Sequence, residues 1–400
     1  MRRNAEIPHV AVWIEGSIGY SRGLIRGVSR YVFEHGPWSI YFTRHGIDSP
    51  VPSWLRRWSG DGILAQINDR KMLDLLSARH LPRVDLRGRF ASPGLPFFGL
   101  DNQLVAQMAF DHLRERGFRH YGYCGLTLGQ HRHMDRRCAA FRQCVAQAGF
   151  ECPVHEAGAR AGRASGWEHD QDRLGQWLLA QPKPVGIMAS GDDRGHAVID
   201  ACRRVGLLVP DQVAVIGVDN DEEMCNLSTP ALSSVAVHSE RIGYAAAAFL
   251  DHMMRSGQRP DDQQMFPPSH VVTRLSTDIM AVDDPAVAIA LRFIRDHACH
   301  GIRVDDVARA ASASRRWLER SFSAALGRTP NAEILRVRMR RAQELILDSD
   351  LSLEAIASKT GFSSQKYFSD VFLRETGQRP SDLRRLHAFR QPGPNQIAAR

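Results

Sequence analysis

The chain has 400 residues, of which 43% are apolar and 24% charged, with a net charge of +8 at pH 7. That composition argues against a disordered chain, and the length predicts two or three domains, each with its own core. Residues 1–284 hold 32 Lys+Arg and 32 Asp+Glu, whereas residues 285–400 hold 20 and 12, so the excess positive charge sits entirely in the tail.

A basic tail on a neutral body points to a polyanion partner for the tail alone, although a solvated basic surface would give the same sum. The seven cysteines are scattered without CxxC or zinc spacing, which fits buried thiols in a reducing cytosol. The N-terminal "MRRNAEIPHVAVWIEGS" has no apolar h-region, and no stretch approaches the length of a membrane span. A cytoplasmic chain with no membrane partner is expected.

The first 280 residues alternate strand and helix signals. "HVAVWI" (9–14) runs into a Gly/Ser turn and then a helical stripe of Leu24, Ile25, Val28, Tyr31 and Val32. Further strands are predicted at 38–42, 61–67, 82–86, 97–100, 120–125, 185–189 and 213–218, with helices at 102–116, 135–148, 170–180, 194–205 and 240–255. The alternation predicts an α/β fold with largely parallel sheets. The number of units favours two doubly wound lobes around a ligand cleft, with a closed barrel as the alternative.

In open α/β sheets, ligands bind beyond the carboxyl ends of strands. That rule selects Asp101 after strand 97–100, Asp192 in "SGDD" after strand 185–189, and Asp219 after strand 213–218. Arg136 and Arg137 fall near the start of the helix after strand 120–125. Carboxylates accept hydroxyl protons and an Arg fork donates in a plane, a mixture suited to a neutral polyol. Each of these carboxylates could equally cap a helix. Trp13 and Tyr20, which flank the first strand–helix loop, are candidate stacking partners for a sugar face, with burial in the core as the alternative for Trp13.

No GxSxG elbow, P-loop, HExxH or GxGxxG after a strand occurs, and "HRH" (131–133) lacks a ligand set beside it. No enzyme, cofactor or metal is expected.

The tail opens with a cap at Asp284 and Pro285, followed by an apolar stripe of Val287, Ala290, Leu291, Ile294 and Ala298. It then builds one motif twice. Leu318 aligns with Phe368, Phe322 with Phe372, Gly327 with Gly377 and Pro330 with Pro380, in two helix-turn-helix units whose second turn is one residue longer. Leu318, Phe322 and Ala325 are read as the inward face of the first recognition helix. A single long helix over "PNAEILRVRMRRAQELILDSD" joins the units. Two recognition helices on a rigid connector suit successive major grooves of double-stranded DNA, about 34 Å apart. Their outward residues are Arg315, Arg316, Glu319 and Arg320 in the first copy, and Ser364, Gln365, Lys366, Ser369 and Asp370 in the second. Arg and Lys suit guanine, Gln suits adenine, and acids accept from cytosine.

"GFSSQKYFSDVFLRETGQRPSDLR" and the double motif around it resemble the AraC/XylS transcriptional regulators. "VAVIGVDNDEEMCNLSTPALSSVAV" (213–237), with "DN" at 101–102 and "MDRRCAAF" (134–141), resembles the type I periplasmic-binding fold of lactose-repressor-type sensors. The order, sensor first (1–282) and double helix-turn-helix last (283–400), is similar to the family of bacterial xylose operon regulators. The resemblance implies a dimeric activator of pentose catabolic genes, responsive to D-xylose or a related sugar and acting on RNA polymerase. It also implies that Asp101, Arg137 and Asp219 hold sugar hydroxyls, with Asp192 the candidate in the "SGDD" loop. A repressor, another effector, or a sugar-processing protein with a protein-binding tail are the alternatives. The short join "IMAVDDP" (279–285) is expected to transmit lobe movement to the tail.

Overall fold

The computed structural model describes residues 7–390, apart from 44, 47, 48, 79, 80, 91, 93, 159–163, 259–262, 280–283 and 350. It divides into two compact units, Met1–Ile279 and Met280–Arg400.

In the first unit the chain runs β1 (His9–Trp13), α1 (Gly19–His35), β2 (Ser39–Phe42), β3 (Gly62–Ala65), α2 (Arg70–Ser77), β4 (Arg83–Asp85) and β5 (Phe97–Leu100). It continues through α3 (Asn102–Glu115), β6 (His120–Gly125), α4 (Arg132–Gln147), β7 (Val154–Glu156), α5 (Ala164–Ala180), β8 (Val185–Ala189) and α6 (Asp192–Arg204). Then follow β9 (Val213–Asp219), α7 (Glu222–Leu227), β10 (Ser233–Val237), α8 (Ser239–Ser256), β11 (Gln263–Phe266) and β12 (Pro268–Val272).

Two six-stranded sheets result, ordered β2-β1-β3-β4-β5-β11 and β7-β6-β8-β9-β10-β12. All pairings are parallel except that of β12 with β10. Both sheets are doubly wound lobes, as the alternation predicted, and the closed-barrel alternative falls. The chain passes between lobes after β5, after β10 and between β11 and β12, so the strands of each lobe aim their carboxyl ends at a shared cleft.

Strand alternation explains the first lobe's two core layers. Val10 and Val12 pack on the α1/α8 side, whereas Ala11 and Trp13 pack on the α2 side with Ile63, Ala65 and Met72. Trp13 is therefore a core residue. It is 4% exposed, stacks on His45 with ring centroids 3.6 Å apart and meets Trp54 edge-on, so its expected place on a sugar face is corrected to the hydrophobic layer.

The second unit contains α9 (Pro285–His297), α10 (Val304–Ala310), α11 (Arg315–Leu326), α12 (Pro330–Asp348), α13 (Leu353–Lys359), α14 (Gln365–Thr376) and α15 (Pro380–Arg390). Asp284 caps α9 by accepting from Ala286 and Val287, with Pro285 in the first turn, as read from the sequence. Two small cores form. One joins α9, α10 and α11 through Val287, Ile294, Val307, Leu318 and Phe322; the other joins α13 and α14 through Ile356, Ala357, Phe368 and Phe372. Leu326 rather than the exposed Ala325 completes the first of these.

Helix α12 serves both cores, giving Ile334 and Val337 to the first and Met339, Ala342 and Ile346 to the second. Residues 280–283 of the join between the units lie outside the described residues.

Candidate functional site

The cleft holds about 440 Å³ and draws lining from both lobes, including Tyr20, Arg87, Asn102, His133, Arg137 and Asp219. Asp219 closes β9 with φ 105°, and Asn220 follows at φ 53°. Non-glycine residues enter this region at a cost of about 1–3 kcal/mol, and only when surroundings over-determine them. Here Asp192 supplies that determination. Its Oδ2 accepts from the Asp221 N–H at 2.7 Å, its Oδ1 accepts from Ser234 Oγ at 2.6 Å, and Ser234 Oγ in turn accepts from the Asn220 N–H at 3.0 Å. Asp192, 4% exposed, thus has both oxygens occupied in shaping the 219–221 turn. Its expected role as a direct sugar contact becomes a positioning role. Burial, reinforced by the Asp219 charge, raises its pKa to about 8.

Asp219 itself faces the cleft. Burial pushes its pKa up to about 6, opposed by the Arg137 and Arg87 guanidiniums. Arg137 is 1% exposed on α4, donating from Nε to Asn102 Oδ1 at 2.8 Å and from a terminal nitrogen to the Ser190 carbonyl. The planar fork is thereby locked, with its charge directed at Asp219 and Tyr20. The hydroxyl of the half-buried Tyr20 is held protonated, chiefly by desolvation and then by the Asp219 charge. Donor and acceptor groups converge as a polyol requires.

Asp101 departs from expectation. It caps α3, accepting from the Gln103 and Leu104 N–H groups at 3.0 and 3.1 Å, and it lines a neighbouring cavity instead of the cleft. Its neighbour Asn102 is the side chain that turns inward and orients Arg137. Arg136 points outward, one residue from the buried Arg137.

Sequence reasoning missed Arg87 and His133. Arg87 follows β4, whose carboxyl end the strand rule would have selected. Its guanidinium is desolvated, which lowers its pKa, and its Nε is buried without a partner. His133, set aside in the sequence for want of a ligand set beside it, sits in the first turn of α4; burial, with Arg87 and Arg137 nearby, keeps it neutral.

The lobes touch across the mouth. Asp221 accepts from the Gly19 N–H at 2.6 Å and from Arg22 at 3.3 Å, and Arg22 also reaches Glu223. Arg89 donates to the Gln130 carbonyl at 2.8 Å, and the Arg132 N–H donates to the Arg89 carbonyl at 3.3 Å.

In the second unit the two recognition helices are α11 and α14, capped alike by Ser314 and Ser364. Ser364 Oγ accepts from the Tyr367 N–H at 3.2 Å, so that oxygen serves the helix start. Arg315, Arg316, Glu319, Arg320, Gln365, Lys366 and Asp370 are exposed, and Ser369 is half-buried. Arg315 is engaged by Asp305 at 3.2 Å and by Glu319 at 3.0 Å, which leaves Arg316 and Arg320 as the more available cations of α11.

The turns before these helices match closely. Ala313 N–H bonds the Ala308 carbonyl and Phe362 N–H bonds the Ala357 carbonyl, each at 2.9 Å, with left-handed Ser312 and Gly361 in equivalent places.

Two families match parts of the chain: a periplasmic binding protein-like domain over residues 110–277 and a helix-turn-helix domain over residues 307–386. The xylose operon regulatory protein of Escherichia coli K12 is 32% identical over 378 residues, covering 92% of this chain and 95% of its own length. The chain belongs to the xylose operon regulator family. Its Haemophilus influenzae member is 30% identical, with 94% and 97% of the two chains covered. A solved xylose-binding transcription activator superposes with a TM-score of 0.78 at 31% identity, covering 96% of this chain and 99% of that one. A lactose-repressor-type regulator of Alkaliphilus metalliredigens, complexed with D-xylulofuranose, shares the fold over 67% of this chain and 98% of its own, with a TM-score of 0.55 at 17% identity.

As a member of this family the chain is a DNA-binding transcription regulator with a sugar-sensor fold, and the enzyme alternative falls. Among the described residues no helix is long and apolar enough to cross a membrane.

Proposed function

We propose that the chain is a cytoplasmic activator of pentose catabolic genes that binds D-xylose or a related pentose in the cleft. The observation that carries this reading is Asp219, projected by a left-handed backbone into the cleft beside Arg137 and Tyr20. Ionised Asp219 accepts hydroxyl protons, the Arg87 guanidinium lining the cleft donates, and Tyr20 supplies a hydroxyl and a ring face. Charge-assisted bonds of roughly 1.5–3 kcal/mol each, three or four in number, account for about micromolar binding. Sugar bridging the lobes stabilises the closed cleft already held by Asp221 and Gly19.

Helices α11 and α14 of a homodimer then engage paired half-sites, with Arg316, Arg320, Gln365 and Lys366 at the groove and RNA polymerase recruited beside them. A coupling of about 1–3 kcal/mol changes operator affinity some 5- to 150-fold.

Thermal unfolding of the full chain against pentoses, hexoses and polyols tests the reading. A ligand at 100 times its Kd stabilises the sensor by about 2.7 kcal/mol. A shift with D-xylose fixes the effector; no shift with any sugar overturns the sugar cleft. Transcription with purified polymerase that falls on adding the ligand would instead assign repression.

A further inference from the structure

Strand β10 carries two adjacent serines, Ser233 and Ser234, both fully buried. Neighbouring side chains on a strand point to opposite faces of its sheet, so the two hydroxyls serve different partners. Ser234 belongs to the cleft, donating to Asp192 and accepting from the Asn220 N–H. Ser233 serves the end of the sensor. Its Oγ donates to the Arg274 carbonyl at 3.0 Å and accepts from the Arg274 N–H at 2.8 Å and from Thr277 Oγ1 at 2.7 Å.

Around this hydroxyl the final helical turn of the first unit, Leu275–Thr277, is fastened from three elements. Ser276 Oγ accepts from the Ser233 N–H at 2.8 Å and donates to the Val215 carbonyl of β9 at 2.6 Å. Thr277 Oγ1 gives its own proton to Ser233, so it is left to accept from His112 Nε2 of α3 at 2.8 Å. Arg116, at the end of α3, donates to the Thr277 carbonyl at 2.9 Å. Ser233, Ser276 and Thr277 are fully buried, and each of their hydroxyl protons has a protein acceptor. Leaving any one of these groups unmatched away from water is costly, so the network shifts as a unit or not at all. Two residues beyond Thr277 the unit ends, at Ile279. The two adjacent serines therefore join the turn that presents Asp219 to the segment that leaves the sensor.

We propose that Ser233 and Thr277 are a relay that carries sugar occupancy from the 219–221 turn to the C-terminal end of the sensor. Sugar hydroxyls on Asp219 reset the turn, Ser234 passes the shift to β10, and Ser233 passes it to Thr277. Neither Ser233 nor Thr277 lines the cleft, so both are positioning residues rather than sugar contacts. The physical warrant is a continuous set of buried hydrogen bonds, each with named partners and a fixed direction. The inference rests on the sugar reading of the cleft.

Two affinities of the full chain test it: that for D-xylose by calorimetry, and that for a duplex which the wild type selects from random-sequence DNA in the presence of D-xylose. D-xylose is expected to change duplex affinity of the wild type by about fivefold or more. Ser233→Ala and Thr277→Val are each expected to cut that change to about twofold or less. Both should leave D-xylose affinity and sugar-free duplex affinity within about twofold of the wild type, which a merely structural role would not do. Variants that keep the wild-type response overturn the relay and leave the sugar reading standing. Folded variants that weaken both affinities alike also overturn it. A wild type that binds no D-xylose removes the relay and the pentose reading together. Where a variant does not fold, hydrogen exchange of the wild type decides. D-xylose must then alter protection in 231–236 and 273–279 as well as in 219–222, and a change confined to 219–222 overturns the relay.

Discussion

The Asp221 carboxylate of one lobe accepts the Gly19 backbone N–H of the other at 2.6 Å. A Cβ at position 19 would stand 2.6 Å from Asp221 Oδ2, so only glycine admits this approach. The bond is charge-assisted and part-buried, in the class of about 1.5–3 kcal/mol. Gly19→Ala is therefore expected to weaken sugar affinity by about tenfold through an opened cleft, and small-angle scattering of the full chain should show a larger sensor. Arg22, whose side chain is 35% exposed, contributes less, about 0–1 kcal/mol. Unchanged affinity in Gly19→Ala would mean that closure does not depend on this contact.

Sugar affinity should depend on pH through Asp219. Burial places its pKa at about 6, above the usual carboxylate range. The form that accepts hydroxyl protons is ionised, present above pH 6 and lost below it. Affinity is expected to be flat near pH 8 and to fall by up to tenfold per unit below about pH 6. Calorimetry across this range checks the slope, and Asp219→Asn should remove both the slope and most of the affinity.

Chain stability should carry a separate signature from Asp192, whose folded pKa of about 8 lies above its unfolded value. The folded state binds the extra proton between those two values, so this contribution to stability grows as pH falls from about 8 towards about 4 and is lost as pH rises through 8. Histidines buried neutral, such as His112 with a pKa of about 3, act oppositely only below about pH 6.5. Asp192→Asn should flatten the upper window in a pH series of melting curves.

On the DNA face, Arg320→Ala should cost about 1–3 kcal/mol, confined to one base position if it reads an edge and uniform across sequences if it meets phosphate. Glu319→Ala should release Arg315 from one of its two carboxylates and change salt dependence more than specificity. Gel shifts across salt concentrations and operator variants separate these outcomes. No change with Arg320→Ala would reassign the outward face of α11.

The paired turns give a stability test. Ser312 holds φ 51° where the second copy has Gly361 at φ 76°. Ser312→Gly should relieve part of a left-handed cost of about 1 kcal/mol. Gly361→Ala should destabilise by more, since its Cβ would also lie 2.9 Å from the Cys299 carbonyl oxygen. Melting curves of both variants check the opposite signs.

Much of this was legible from local pattern. Strand ends placed Asp219 and Asp192 at the cleft, and period-3.6 stripes placed Leu318, Phe322, Phe368 and Phe372 inside their helices. Pattern could not separate a carboxylate that faces a ligand from one that caps a helix. Asp101 took the cap and Asn102 the interior, a choice made by backbone direction after β5. Nor could it assign Trp13 to a layer, because both faces of β1 are buried and the alternation carries no polar contrast. The Gly19–Asp221 contact joins residues 202 positions apart, beyond any window of local spacing.

Helix α12 feeds both recognition cores from one rigid rod, with Ile334 and Val337 in one and Met339, Ala342 and Ile346 in the other. The reading head therefore has a fixed phase as well as a fixed length. One residue inserted between Val337 and Met339 would turn the second core by about 100° and advance it by about 1.5 Å. The α14 surface would then face away from the groove that α11 selects, although each motif stayed intact. Operators read by α11 and α14 as proposed would share a single helical phasing, and divergence in their spacing would have to be matched within α12 itself.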